Sequence, residues 1–140
     1  MKMMQKKIRS LIYAGLGLIL CVLLCGGGDM TAQAEESKTY GDFTYEEAKD
    51  GITITKYKGD KKKVVIPDKI NGTEVISIGD FAFDLCLNLT SITLPNSLTC
   101  IGSYGFATTD LTSITIPENV RSIGCEAFFS CDKLKKVVLP

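Results

Sequence analysis

The chain has 140 residues, with 16 basic and 16 acidic side chains, no His and no Trp. Without His there is no Ser-His-Asp or Cys-His nucleophile pair, and the six cysteines lack the Cys-x-x-Cys spacing of a structural zinc site. Four basic residues and one acidic residue lie in residues 1–34, so the remainder carries a net charge of −3, which argues against binding to nucleic acid. We therefore predict no enzyme, and no catalytic, cofactor-binding or metal-ligating residues.

Residues 1–34 have the order of a secretory signal peptide. Four basic residues precede the apolar run Leu11–Leu24, and the small-residue site Ala32-Gln33-Ala34 follows. The run is shorter than the about 20 residues of a spanning helix. We predict a helical signal segment that is cleaved after Ala34, a secreted or cell-surface protein, and membrane contact through this segment alone. The alternatives are an uncleaved anchor and lipid attachment at Cys25, which Leu24 before it disfavours.

Residues 35–61 are predicted to form a short polar leader, Glu35–Thr39, and a β-hairpin cap. Alternating apolar and polar residues in Phe43–Tyr45 and Ile52–Tyr57 lie on either side of Asp50-Gly51, a pattern typical of a hairpin. A stack of repeats needs a terminal unit that covers its first open face. We assign that role to Tyr40–Tyr57.

Residues 62–140 repeat every 22–23 residues. Segments Leu89–Asp110 and Leu111–Lys133 share nine of their first eighteen aligned positions, and Phe83, Phe106 and Phe128 recur at the same steps. A fixed period of this length predicts a solenoid of stacked coils. We expect about three coils, the first interrupted by a turn-like insert at residues 69–74 and the last truncated at Pro140.

Each coil is predicted to consist of strands and tight turns. In Ser91–Leu94 the apolar residues alternate with Ser and Thr, which places Ile92 and Leu94 in the core and the hydroxyls in solvent. The three repeated Phe residues would form one buried column, and Gly102 would permit a tight bend.

The four cysteines after residue 34 are predicted to be free, half-buried thiols. Cys86 and Cys131 lie two coils apart, about 10 Å at the strand spacing and beyond the about 7 Å that a disulfide spans. A bridge between Cys100 and Cys125, which lie in adjacent coils, stays open.

One coil carries the repeat pattern most fully, at Leu111, Ile114, Ile116, Pro117, Val120, Ile123, Gly124, Ala127, Phe128, Cys131 and Leu134. This pattern resembles the BspA-like class of leucine-rich repeat, also known from treponemal surface proteins. The middle coil departs from it, with Leu98 for Val, Gly105 for Ala and one residue fewer before the next coil. The resemblance implies a mainly β leucine-rich-repeat solenoid in a secreted or surface protein, typically active in adhesion or binding of host proteins.

The outward side chains of successive strands form the candidate ligand-facing ladder, which consists of Lys63, Ser91, Thr93, Ser113, Thr115 and Lys136. Stacked repeats commonly bind through such a sheet face. The partner would be an unidentified extracellular protein or glycan, not a nucleic acid. Lys61–Lys63 and Lys135-Lys136 would form a basic rim. The alternative is that these residues are a solvated surface only.

The sequence thus predicts a secreted or cell-surface binding module for adhesion or for protein or glycan recognition. One alternative is a non-catalytic N-terminal fragment of a larger surface protein or cell-wall enzyme. Another is a truncated reading frame. Because the last coil exposes a strand edge, we also expect edge-to-edge self-association there.

Overall fold

The computed structural model describes residues 37–140, so the predicted signal peptide and its cleavage site lie outside the described residues. The described residues belong to one compact unit, Ala34–Pro140. Among them, no helix is long and apolar enough to cross a membrane. Residues 37–140 contain eleven strands: β1 Lys38–Tyr40, β2 Phe43–Ala48, β3 Gly51–Tyr57, β4 Lys63–Val65, β5 Lys69–Ile70, β6 Thr73–Ile78, β7 Ser91–Thr93, β8 Cys100–Ile101, β9 Ser113–Thr115, β10 Ser122–Ile123 and β11 Lys136–Val138.

The chain alternates between two faces that carry strands, and each winding contributes a strand to both faces. On one face β3, β6, β8 and β10 pair in parallel, with Ile54, Ile78, Ile101 and Ile123 in register. On the other, β4 pairs with β7 and β9 with β11, also in parallel. The predicted mainly β solenoid is confirmed, and each winding has a second strand that the sequence analysis did not locate.

The predicted hairpin cap is present and is continuous with the solenoid. Strands β2 and β3 are antiparallel and joined at Lys49-Asp50. Strand β3 then pairs in parallel with β6, so it also serves as the first strand of the longer face. The leader prediction was wrong at its end, because Lys38 and Thr39 belong to β1, which pairs with β2.

The insert at residues 69–74 is itself a hairpin rather than a loose turn. Strands β5 and β6 are antiparallel across Asn71-Gly72, whose φ angles are 51° and 90°. Both angles are positive, as a two-residue turn between right-twisted strands requires. The insert therefore lengthens the first winding and leaves its stacking on β3 and β8 intact.

The core is built around the repeated aromatic position. Phe83 and Phe106 have no exposed surface, and their ring centroids lie 5.1 Å apart. Tyr57 of the cap stacks on Phe83 at 5.3 Å, and Phe128 stacks on Phe106 at 5.7 Å. Phe128 is half-buried. The predicted column is confirmed, and the cap contributes a fourth ring to it.

Two glycines allow neighbouring windings to approach each other closely. A Cβ on Gly102 would lie 2.6 Å from the Asp80 nitrogen, and one on Gly124 would lie 2.7 Å from the Gly102 carbonyl carbon. Neither glycine has a positive φ. The prediction that a Cβ is not tolerated at Gly102 is confirmed, and the reason is that the missing Cβ makes room for the backbone of the preceding winding.

The segments that close each winding hold bulky residues in the left-handed backbone region. Phe81, Tyr104 and Glu126 occupy equivalent positions with φ of 53–55°, a conformation that is uncommon for residues other than Gly. The alternate N–H groups of these segments donate to the next winding, for example from Phe83 to the Gly105 carbonyl oxygen at 2.8 Å. These bonds offset the backbone strain and add a third set of contacts along the stack.

Candidate functional site

The candidate site is the face formed by β4, β7, β9 and β11, which we call the strand face. All six residues of the predicted ladder are exposed on it. The central residues of three of its strands point the other way and are buried: Val64, Ile92 and Ile114 are 5%, 7% and 2% exposed. This alternation is what a strand with one buried side produces. In β11 the inward Val137 remains 44% exposed.

Strand register arranges the ladder in two rows. In the first row Lys63 lies beside Ser91, and Ser113 lies beside Lys136. In the second row, Val65 pairs with Thr93 and Thr115 with Val138. The structure therefore brings the six predicted residues together, with lysines on the two outer strands and hydroxyls on the two inner ones.

The two halves of the strand face meet without a regular ladder. Strands β7 and β9 are neighbours but belong to separate two-stranded sheets. The Thr112 N–H joins them by donating to the Thr90 carbonyl oxygen at 3.2 Å. The face is thus contiguous, although its middle seam has fewer backbone hydrogen bonds than its two outer pairs.

A third row, which the sequence analysis did not assign, fixes the edge of the strand face. The Thr90 hydroxyl donates to the Lys62 carbonyl oxygen at 3.0 Å, and the Thr112 hydroxyl donates to that of Thr90 at 3.4 Å. The Lys135 N–H continues the row to Thr112 at 3.0 Å. The sequence feature that could have identified this third row is the Thr that precedes Ser in both copies of the Leu-Thr-Ser-Ile-Thr block.

The hydroxyls of the two ladder rows differ from those of the third row. Within residues 37–140, no hydrogen bond engages the side-chain oxygens of Ser91, Thr93, Ser113 and Thr115. Each such hydroxyl offers one donor and two acceptor positions to a ligand. The row of Thr90 and Thr112 therefore braces the sheet, and the ladder rows are left for contact.

The strand face is basic. Its four segments, residues 62–65, 90–93, 112–115 and 135–138, contain four lysines and no acidic residue. In the described part of the chain, Lys62, Lys63, Lys135 and Lys136 form no ion pair. Lys61 at the margin differs, because its bond of 2.7 Å to Asp42 raises the pKa of its ammonium group.

A shallow depression adjoins the ladder at its first strand. It has a volume of about 210 Å³ and lies between β4 and the cap, with Tyr40, Phe43, Lys63 and Val65 among its lining residues. Val65 is 69% exposed. The ion pair of Asp42 with Lys61 lines it as well, so the depression gives the lysine end of the strand face a small recess of mixed polarity.

The cysteines and acidic residues of the described part form neither a metal-holding cluster nor a disulfide. Residues 37–140 contain no cluster of His, Cys, Asp or Glu able to hold a metal ion. All four cysteines there are free, so Cys100 and Cys125 are not bridged. Three are half-buried as predicted, and burial raises the pKa of Cys86. The prediction was wrong for Cys125, which lies exposed in the last winding beside the left-handed Glu126.

Comparison with known families identifies the repeat. The family described as BspA type Leucine rich repeat region matches residues 56–140, in six copies. The match begins within β3, so it includes the end of the cap and every later winding. No curated protein matches the chain.

Solved structures with the same fold come from bacterial proteins. The pneumococcal vaccine antigen PcpA is 19% identical, with a TM-score of 0.53 over 76% of this chain and 38% of that one. The Treponema pallidum leucine-rich repeat protein is 24% identical, with a TM-score of 0.44 over 73% and 71%. A leucine-rich cell surface protein of Faecalibacterium prausnitzii is 18% identical, with a TM-score of 0.38 over 74% and 54%. This chain therefore spans about half the length of the last protein.

Proposed function

Because the chain belongs to the BspA type leucine-rich repeat family, we propose that it is a secreted or cell-surface binding module without catalytic activity. Its strand face recognises an extracellular protein or glycan. The observation that carries this proposal is the set of four exposed ladder hydroxyls with no partner in the described residues, held on parallel strands over a packed core. A rigid sheet presents such groups at fixed spacing, so binding needs little ordering of the chain.

The surface location draws support from the similar proteins. The Faecalibacterium prausnitzii structure is described as a leucine rich cell surface protein. The signal-like order of residues 1–34 points the same way. Export would bring the strand face into contact with matrix proteins and wall glycans, which are the partners that we expect.

The proposal is tested by measuring retention of host matrix proteins and wall glycans on the immobilised chain. A Ser113→Trp variant places a large ring in the middle of the strand face and should abolish retention. The matched control is Ser122→Trp, because Ser122 is exposed on β10 of the other face in the same winding. The control should retain the partner.

Two outcomes count against the proposal. Retention that survives Ser113→Trp and is lost with Ser122→Trp would move the binding site to the other face. A chain that retains no protein or glycan at all would contradict a binding function. Circular dichroism of both variants shows that the solenoid is intact before either outcome is interpreted.

We also propose edge-to-edge self-association at the last winding. Ile123 and Val137 are 42% and 44% exposed, and Leu139 is 65% exposed. Strands β10 and β11 each pair on one side only within the described residues. Sedimentation equilibrium should show a dimer that a Val137→Lys variant disperses, and a concentration-independent monomer would contradict it.

One observation supports the alternative that the chain is part of a larger surface protein or cell-wall enzyme. The pneumococcal and Faecalibacterium structures are covered over 38% and 54% of their lengths. The DNA after codon 140 tests this alternative. Further units of 22–23 residues, an anchor motif or a catalytic domain would each support it, and the lack of any would favour a self-contained module.

A further inference from the structure

We propose that the ligand of the strand face is an anionic glycan, a polysaccharide that carries carboxylate or sulfate groups along its length. The inference rests on the proposed binding function of that face and names the chemistry of its partner. Three features carry it: the placement of the lysines, the freedom of the hydroxyls between them, and the composition of the rest of the surface.

The lysines lie at the two ends of the strand face. Lys62 and Lys63 belong to the first strand segment, and Lys135 and Lys136 belong to the fourth. Three strand spacings of about 4.8 Å place the two pairs about 14 Å apart. No described carboxylate forms an ion pair with any of the four lysines. An extended polymer with repeated negative charges can contact both pairs at once, whereas a single small anion reaches one.

The hydroxyls lie between these charges. The first ladder row runs Lys63, Ser91, Ser113, Lys136, so a chain that crosses the strands meets a cation, two hydroxyls and a second cation. The four free hydroxyls both donate and accept hydrogen bonds. Sugar hydroxyls have the same dual capacity, so each sugar unit between two charged units finds partners of matching kind.

The surroundings favour a glycan over other polyanions. Residues 35–140 carry a net charge of −3, so the basic face is set against an acidic body that orients an anionic polymer toward it. The four strand segments contain no aromatic residue. Single-stranded nucleic acids are typically held by stacking on aromatic side chains, and protein interfaces are typically centred on buried aromatic or Arg anchors. The hydroxyls and ammonium groups that this face does offer match the hydroxyls and charges of an anionic polysaccharide.

The test measures binding of the purified full chain to polygalacturonate, dextran sulfate, neutral dextran and single-stranded DNA by biolayer interferometry. We expect one of the two anionic glycans to bind and neutral dextran to fail. The two anionic probes distinguish carboxylate from sulfate recognition. Raising the salt from about 0.1 M to about 1 M shortens the Debye length from about 10 Å to about 3 Å and should weaken binding strongly.

Charge variants locate the contact. Lys63→Gln with Lys136→Gln should raise the Kd about five- to tenfold, as expected for two exposed ion pairs. Lys49→Gln with Lys69→Gln changes the net charge equally at exposed positions outside the strand face and should leave the Kd within about twofold. Thr93→Val with Thr115→Val removes two free hydroxyls without changing charge or strand preference, and should also weaken binding.

The outcomes separate this inference from the proposed function. Equal affinity for DNA and the anionic glycans, or an unchanged Kd in the Thr variant, would overturn glycan recognition. Failure of both anionic glycans would overturn it too. If a matrix protein or neutral glycan is then retained and lost with Ser113→Trp, the binding function stands without the anionic ligand. If no probe is retained, both proposals fail.

Discussion

The aromatic column predicts a gradient of stability along the solenoid. Phe106 has no exposed surface and stacks on Phe83 and Phe128 at 5.1 and 5.7 Å. Phe128 stacks only on Phe106 and is half-buried. Replacing either ring with Leu keeps an apolar side chain of similar reach and removes the ring–ring contacts. The two variants therefore differ in the number of aromatic pairs that are lost and in how deeply the replaced ring is buried.

Each aromatic pair contributes about 0.5–1.5 kcal/mol beyond its buried area. Phe106→Leu loses two pairs, so we expect its free energy of unfolding to fall by about 1–3 kcal/mol. Phe128→Leu loses one pair and should cost about half as much. Since 1 kcal/mol shifts the midpoint of a domain of this size by about 4–8 °C, the two variants should be clearly separated in thermal unfolding.

The assay is urea unfolding followed by far-ultraviolet circular dichroism and Tyr fluorescence, with the full chain as reference. Coincident transitions by the two probes are required before the midpoints are converted into free energies. Phe129→Leu is the control outside the column, because that ring is 55% exposed and meets only Tyr104, edge-on at 6.1 Å. Equal losses for Phe106→Leu and Phe128→Leu, or a larger loss for the latter, would refute the stacked column as a source of stability.

Three further predictions concern the windings, a surface carboxylate and a thiol. Gly124→Ala should lower the free energy of unfolding by about 1–3 kcal/mol, because the new Cβ overpacks against the backbone of the preceding winding. Gly79→Ala should cost less, because its Cβ would lie 3.2 Å from its nearest neighbour, the Ile54 oxygen. Calorimetry that reverses this order would contradict the close approach of neighbouring windings at Gly124. Hydrogen bonds from Lys38 and, to a smaller extent, from Thr73 hold the pKa of Glu47 below its ordinary value. The lowered pKa stabilises the folded chain at pH values above the unfolded pKa, and this stabilisation is lost as the pH falls through the folded pKa. In carboxyl NMR titrations Lys38→Met should raise the pKa of Glu47 more than Thr73→Val does, and an unchanged pKa in both variants would disprove the contacts. Burial raises the pKa of Cys86, so iodoacetamide at mildly alkaline pH should label it more slowly in the folded chain than in urea. Cys125 is exposed and should react readily in the folded chain. Peptide mass mapping that shows equal protection of the two cysteines would argue against this burial pattern.

The parts of the fold that repeat in sequence could be predicted from sequence. The spacing of Phe83, Phe106 and Phe128 gave the period, and the alternation in Ser91–Thr93 gave the strand with its buried Ile92. Both signals are side-chain patterns that recur with the backbone geometry. The hairpin around Lys49-Asp50 was also predictable, because a Gly follows the turn and alternating residues flank it.

The second face could not be predicted in full, because two of its four strands are too short to show a pattern. Strands β8 and β10 have two residues each, and their pairing depends on the winding before and after them. The left-handed backbone at Phe81 and Tyr104 had no sequence signal either, since Gly or Asn would be expected there. Hydrogen bonding between windings imposes that conformation.

The candidate site was predictable in position but not in its chemical detail. The order of Ser and Thr along β7 and β9 placed the hydroxyls outward, as the structure does. Which hydroxyls are free depends on where Thr90 and Thr112 find carbonyl partners, and those partners lie in other windings. The lack of ion pairs at the four lysines likewise depends on packing, which brings no described carboxylate within ion-pair distance of them.

The hydrogen bonds from Phe83 to Gly105 and from Phe106 to Ala127 run from one winding to the next, along the direction of stacking. Tension applied along that direction acts on every junction between windings at once. The weakest junction therefore breaks first, while the other junctions stay intact. Each released winding of 22 residues extends to about 75 Å of chain. When the protein is pulled at its two ends, it should therefore lengthen in discrete steps, one winding at a time.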